Sequence, residues 1–184
     1  MSSVVLSGDS SGTVTLTVPS AAGTNTATLP AATGTVMVSG NQPAFSAYVN
    51  SAQTISNSVY TKIQLNAETF DTASCFDSTT NYCFTPTVAG YYQINANIYI
   101  ADASVTGYII SSLYKNGSPY KYSVGYYNST YGNGGAPISD VVYMNGSTDY
   151  IEYYVRQTNN GSSSLAISAT SQGTYMSGSM VRAA

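Results

Sequence analysis

Between Tyr92 and Tyr99 the chain alternates without a break. Tyr92, Ile94, Ala96 and Ile98 fall on one side, and Gln93, Asn95, Asn97 and Tyr99 on the other. A period of two is the signature of a strand with one face buried and one face wet, and no helix can use that pattern. The run belongs to a longer stretch, Phe76–Ile100, that opens on a polar turn cluster and bends at Pro86–Gly90. Gly90 stands where a corner between strands is expected, since glycine tolerates backbone conformations other residues avoid. The same reading gives strands at 44–49, 59–65, 82–85, 91–100, 108–115, 120–125, 138–144, 150–157, 165–170 and 174–181. Asn116-Gly117, Asn145-Gly146 and Asn160-Gly161 lie between them, and Asn-Gly is the preferred pair for tight hairpins. No helical period is present. Short strands with regular turn signals point to an all-β sandwich or barrel.

Phe76-Asp77, Phe84, Gly90, Tyr92 and Ile94 together resemble the signature of the globular head of complement component 1q, which shares a trimeric jelly roll with tumour necrosis factor. The aromatic-to-Phe spacing is one residue longer than the usual pattern, and Ile94 stands where Phe is usual. The resemblance continues at Pro43–Ala47 (an opening strand), Leu113–Gly117 (a mid-domain hairpin) and Tyr175–Val181 (a closing strand). It implies a trimeric jelly-roll knob over 43–184. It also implies an inner sheet made of the first strand, the strand with Tyr82 and Phe84, the strand 138–144 and the last strand. Phe45, Tyr48, Tyr82, Phe84, Tyr143 and Tyr175 are then the trimer-interface candidates.

Residues 1–42 form a different zone, in which Asp9 is the only charged side chain. Val14, Leu16 and Val18 alternate with threonines, and shorter runs at 4–6, 27–29 and 35–38 read likewise as strands. This segment is too short to bury a core alone and has no charge with which to blunt exposed edges. It is expected to be a β-rich anchoring arm completed by other chains, through Val14, Leu16, Val18, Leu29, Val36 and Val38. The stretch from Gly12 to Val38 resembles a repeat-like segment near the start of tailed-phage virion proteins.

Charge narrows the function classes. Charged residues make up 7% of the 184, with 5 Lys+Arg against 8 Asp+Glu, so no basic surface is available for a phosphate backbone. No apolar run reaches membrane-spanning length, and no charged-then-apolar leader begins the chain. Synthesis in a host cytoplasm is expected, with no nucleic-acid or membrane partner. The polar surface is Ser, Thr, Asn and Gly, with 18 Tyr and no Trp.

There is no histidine, which removes Ser-His-Asp, Cys-His and the usual zinc arrangements. Asp149 and Glu152, with Arg156 following, fall on opposite strand faces and read as a solvated strand end rather than an acid/base pair. No catalytic residue, cofactor or metal is expected. Asp71, Asp77 and Asp102 could offer oxygens to calcium, but they lack the density of a calcium loop and read as loop carboxylates. Cys75 and Cys83 bracket a turn, and either a disulfide or two reduced thiols fits there. Tyr122, Tyr126, Tyr127 and Tyr131 crowd a Gly/Asn-rich hairpin and are the surface-binding candidates, since an exposed tyrosine suits a sugar or a protein partner. Asn128-Ser129-Thr130 matches a glycosylation acceptor, which matters only in a secretory pathway.

The expected function is a structural bacteriophage virion protein: a trimeric surface knob held by its arm on the major capsid protein or another virion protein, as a capsid decoration or cement protein. The alternative is a receptor-binding adhesin at a short tail-fibre tip, contacting host surface glycans. No heptad or repeat shaft separates arm from knob, which favours the former.

Overall fold

The computed structural model describes residues 3–101 and 105–184, apart from 22, 29, 30, 32, 35, 39 and 41. It divides into two compact units, Met1–Gly34 and Thr35–Ala184. No α-helix occurs among the described residues.

The first unit is built on β1 (Ser3–Ser7) and β2 (Thr13–Thr17), an antiparallel hairpin that opposes Val4 to Leu16 and Leu6 to Val14. Its turn is closed by Gly8 N donating to Gly12 O, with Gly12 at φ 77°. Strands expected at 27–29 and 35–38 do not form among the described residues, and Leu29 itself lies outside them.

The second unit is a jelly-roll β-sandwich. Its strands are β3 (Ala44–Tyr48), β4 (Thr54–Ile55), β5 (Thr61–Lys62), β6 (Ala67–Asp71), β7 (Phe76–Asp77), β8 (Cys83–Phe84), β9 (Gly90–Asn97) and β10 (Tyr99–Ala101). They continue with β11 (Gly107–Lys115), β12 (Ser118–Tyr127), β13 (Asn133–Gly135), β14 (Ile138–Met144), β15 (Ile151–Asn159), β16 (Leu165–Ala166) and β17 (Tyr175–Ala183). One sheet runs β14-β9-β17-β3-β6, and the other runs β12-β11-β15-β8-β7 with β5 also on β15. Two short pairs, β10-β13 and β16-β4, close the ends.

The alternation along β9 and into β10 builds the core. Tyr92, Ile94, Ala96 and Ile98 are all buried, while Gln93, Asn95 and Asn97 turn outward. Phe45 from the five-stranded sheet stacks on Phe76 and Phe84 from the other, at 4.9 and 4.4 Å between centroids. Tyr92 meets Phe84 edge-on at 5.3 Å. These offset and T-shaped contacts suit the ring quadrupoles and join the two layers at the centre. Met37 packs against the same core, so the segment just after Gly34 belongs with the sandwich.

The structure corrects several expectations. The strand holding Phe84 is β8, which lies in the sheet opposite β3, β14 and β17. Phe45 and Phe84 are both fully buried within the protomer, so neither can meet a neighbouring subunit. Gly90 is required by space rather than by backbone freedom, since a Cβ there would stand 2.5 Å from Arg182 O. Only Asn116-Gly117, with φ 54° and 75°, closes a hairpin, between β11 and β12. Asn145-Gly146 instead carries the chain from one sheet to the other, from β14 to β15. Turn chemistry is local, whereas the strand a segment pairs with is decided by distant residues.

Candidate functional site

Outside the core, the second unit presents two contrasting sheet faces, and the first unit presents an unburied hairpin. In the hairpin Val4, Leu6, Val14 and Leu16 share one face and are 58%, 56%, 62% and 59% exposed. Val18, Val36 and Val38 are exposed as well. A two-stranded sheet of this kind buries nothing by itself and is marginal alone in water.

The outward face of the five-stranded sheet carries small polar residues in its middle. Gln93 Nε2 donates to Ser139 Oγ at 2.7 Å, and Ser139 Oγ donates to Asn95 Oδ1 at 2.8 Å. Tyr91, Val141, Tyr143 and Val181 stand exposed at one end, with the Tyr91 and Tyr143 rings 5.5 Å apart. Tyr48 and Tyr175 oppose one another at the other end and are half-buried. Of the interface candidates, Tyr48, Tyr143 and Tyr175 thus share this face. Tyr82 sits apart, at φ 49° just before β8.

The outward face of the other sheet is a lattice of tyrosines. On β15 the inward residues Ile151, Tyr153 and Val155 are fully buried, which turns Glu152, Tyr154 and Arg156 outward. The ladder places Tyr114 beside Glu152, Ser112 beside Tyr154, and Ile110 beside Arg156. One strand further, Tyr122, Val124 and Tyr126 oppose Ser112, Ile110 and Tyr108. On the other side of β15, Cys83 opposes Glu152 and Lys62 opposes Tyr154. Tyr114 stacks on Tyr154 with centroids 4.0 Å apart, and Tyr60 tilts against Tyr114 at 6.2 Å. Arg156 lies over the Tyr60 ring at 5.9 Å.

At one end of the lattice lies a cleft of about 450 Å³, lined by Lys62, Asn81, Cys83, Thr85, Tyr150 and Glu152. Glu152 is buried and ion-paired with Lys62, whose Nζ also donates to Asn81 O at 3.1 Å. Burial alone would lower the Lys62 pKa, but its hydrogen bond to Glu152 and the Coulombic pull of that carboxylate raise it, so the ammonium stays charged. The Cys83 thiol is pushed up by burial, and by the Glu152 and Asp77 charges beside it, which keeps it protonated. Asp149 is likewise buried and pairs with Lys115 at 2.9 Å. Asp149 and Glu152 are therefore two separately neutralised, enclosed carboxylates, not the solvated strand end that their spacing suggests. Each side chain sits where a lysine from a neighbouring strand reaches it, a partnership invisible in local sequence.

The remaining candidates separate by burial. Tyr122, Tyr126 and Tyr131 are 72%, 79% and 77% exposed, as a binding role requires. Tyr127 is buried, and its hydroxyl donates to Gln157 Oε1 at 3.1 Å, so it is a core residue and no ligand contact. Cys75 and Cys83 are both free thiols, so the bridge is not formed. The ladder opposes Cys83 to Asp77, while Thr85 N donates to Cys75 O, which sets the two cysteines diagonally rather than opposite. Asp71 and Asp77 are occupied as turn caps, Asp71 accepting from Phe76 N at 2.7 Å and Asp77 from Thr79 N and Thr80 N at 2.9 Å each. No group of three metal-ligating side chains occurs among the described residues, and Asp102 lies outside them. Tyr60, Tyr108, Tyr114, Tyr154 and Arg156 were not among the expected site residues. The signal for the last two was there, in the alternation of Tyr150, Glu152, Tyr154 and Arg156 along one strand.

No protein-family profile and no curated protein matches the sequence. Solved structures do share its shape. Murine APRIL at pH 5.0 superposes with a TM-score of 0.56 at 10% identity, covering 76% of this chain and 99% of the other. Eiger TNF from S. frugiperda gives 0.55 at 10% identity, covering 78% and 93%. The vertex protein P5 of PRD1 gives 0.50 at 14% identity, covering 77% and 96%. The fold is the jelly roll of tumour necrosis factor-like proteins.

Proposed function

We propose that this chain is a structural bacteriophage virion protein: a homotrimeric jelly-roll knob on the particle surface, anchored by its N-terminal arm. The observation that carries the reading is the β1–β2 hairpin, whose apolar face is exposed and whose strands pair only with each other among the described residues. Unpaired backbone groups and bare valines need another surface, and strand addition to a virion protein supplies both. The shared fold with a PRD1 vertex protein is in keeping with such a setting. Trimerisation is supported by the outward face of β14-β9-β17-β3-β6. Its small central residues allow close approach, and its Tyr91, Tyr143, Val141 and Val181 rim offers apolar area. Decoration or cement of the capsid is favoured over a fibre tip, because no shaft-like repeat joins arm to knob. The function is non-enzymatic, since the buried carboxylates Asp149 and Glu152 are each neutralised by a lysine and Cys83 is held as a thiol.

A second reading, a host-recognising adhesin, draws on the exposed tyrosine lattice. Deleting residues 1–34 tests the anchoring role. If the arm is the anchor, the truncated protein remains a folded trimer and no longer joins particles that lack the protein. Full occupancy by the truncated protein would remove the anchoring role and leave the knob as the docking element.

A further inference from the structure

We infer that the tyrosine lattice and its cleft form a binding site for an acidic carbohydrate, with sugar hydroxyls held in the Lys62–Glu152 cleft and a sugar carboxylate on Arg156. The inference does not depend on the virion reading.

The cleft has the size of a small-molecule site and is lined by groups of both hydrogen-bonding kinds. Lys62 Nζ donates, the Glu152 carboxylate accepts, and the Asn81 amide and the Thr85 and Tyr150 hydroxyls do both. A sugar hydroxyl also donates and accepts, so a mixed lining matches a polyol where a purely cationic or purely apolar one would not. Glu152 is buried yet borders open space, and its ion pair with Lys62 fixes both groups before any ligand arrives. That preorganisation reduces the ordering cost of binding.

Beside the cleft, the stacked Tyr114 and Tyr154 rings lead to Arg156, and Tyr122 and Tyr126 stand exposed on the edge strand β12. Glu152 and Arg156 lie four residues apart on β15, about 13 Å at the rise of an extended strand. That length suits a short oligosaccharide lying along the strand. Lys62 is compensated by Glu152, but Arg156 has no carboxylate partner among the described residues and rests only on the Tyr60 ring. A guanidinium near a ring face and without a carboxylate of its own has donor N–H groups to offer a bidentate carboxylate.

The test uses the full chain with a galacturonate oligosaccharide as the acidic probe and a dextran oligosaccharide as the neutral one, by calorimetry and by saturation-transfer NMR. The expected result is binding of the acidic probe that weakens with salt, with saturation reaching sugar protons from tyrosine rings. Arg156→Gln should weaken it at least tenfold without changing the melting temperature, and Tyr122→Ser with Tyr126→Ser should weaken it further. Tyr91→Ser, on the opposite sheet, should leave binding unchanged. Should Arg156→Gln fail to fold, ring-to-sugar saturation in the unmodified protein still decides the matter. Absence of binding to the acidic probe overturns the inference, and so does equal binding of dextran or indifference to Arg156→Gln.

Discussion

A single carboxylate, Asp149, ties the sheet-to-sheet crossing to the neighbouring hairpin. It accepts from Asn116 Nδ2 at 2.8 Å and Asn145 N at 3.0 Å and pairs with Lys115 Nζ at 2.9 Å. The Asn116 hydrogen bond first, and then Lys115 and the Asn145 N–H, hold its pKa below the usual carboxylate value against the opposing effect of burial. Asp77 is lowered too, by the backbone N–H groups of Thr80 and Thr79. A carboxylate with a depressed folded pKa adds stability above its unfolded value near 3.9, and that stability fades as pH falls toward the folded value. Urea unfolding should therefore show a loss beginning below about pH 4. Asp149→Asn should cost about 1–2 kcal/mol at pH 7 and flatten the decline below pH 4. An unchanged pH slope in that variant would mean Asp149 carries no linkage.

At the scale of single elements, the hairpin β1–β2 makes the sharpest demand. Leu16→Asp puts a charge on its apolar face, opposite Val4. Particle attachment should fall while the melting temperature of the knob stays put, because the sandwich is a separate compact unit. A lowered melting temperature would show that the hairpin stabilises the knob as well. Elements are also where the reading of the sequence succeeds and fails for visible reasons. β9, β14 and the Asn116-Gly117 hairpin are legible because a period of two and a turn pair are local properties. β4, β6, β7 and β13 are not, since short edge and end strands bury too few residues to impose a pattern. β8 was legible as a strand but not as a member of its sheet, because membership depends on β15, which lies far along the chain.

For the whole molecule, the outward face of β14-β9-β17-β3-β6 predicts the oligomer. Light scattering should give a trimer at micromolar concentration, and Tyr143→Asp should give a folded monomer. A stable wild-type monomer would remove this face as an interface. The aromatic count in the sequence announced a surface rich in contacts, but not its division. Phe45, Phe84 and Tyr127 went inward, Tyr143 took one sheet, and Tyr122 and Tyr126 took the other. Position within a sheet decides this, and a strand's partner and outward face are set by the assembled fold.

The placement of the cations has a consequence for durability. All five Lys and Arg residues, Lys62, Lys115, Lys121, Arg156 and Arg182, lie within β-strands. Trypsin needs an extended, unpaired segment around such a residue, and the loops where nicking ordinarily begins offer none. The native chain should pass through prolonged trypsin digestion uncut and be cleaved only when the sandwich opens, so the digestion rate reads strand opening. The unit Met1–Gly34 has no Lys or Arg at all, and trypsin can never trim it. A protein secured through that segment keeps its tether in a trypsin-rich medium whether or not the tether is folded.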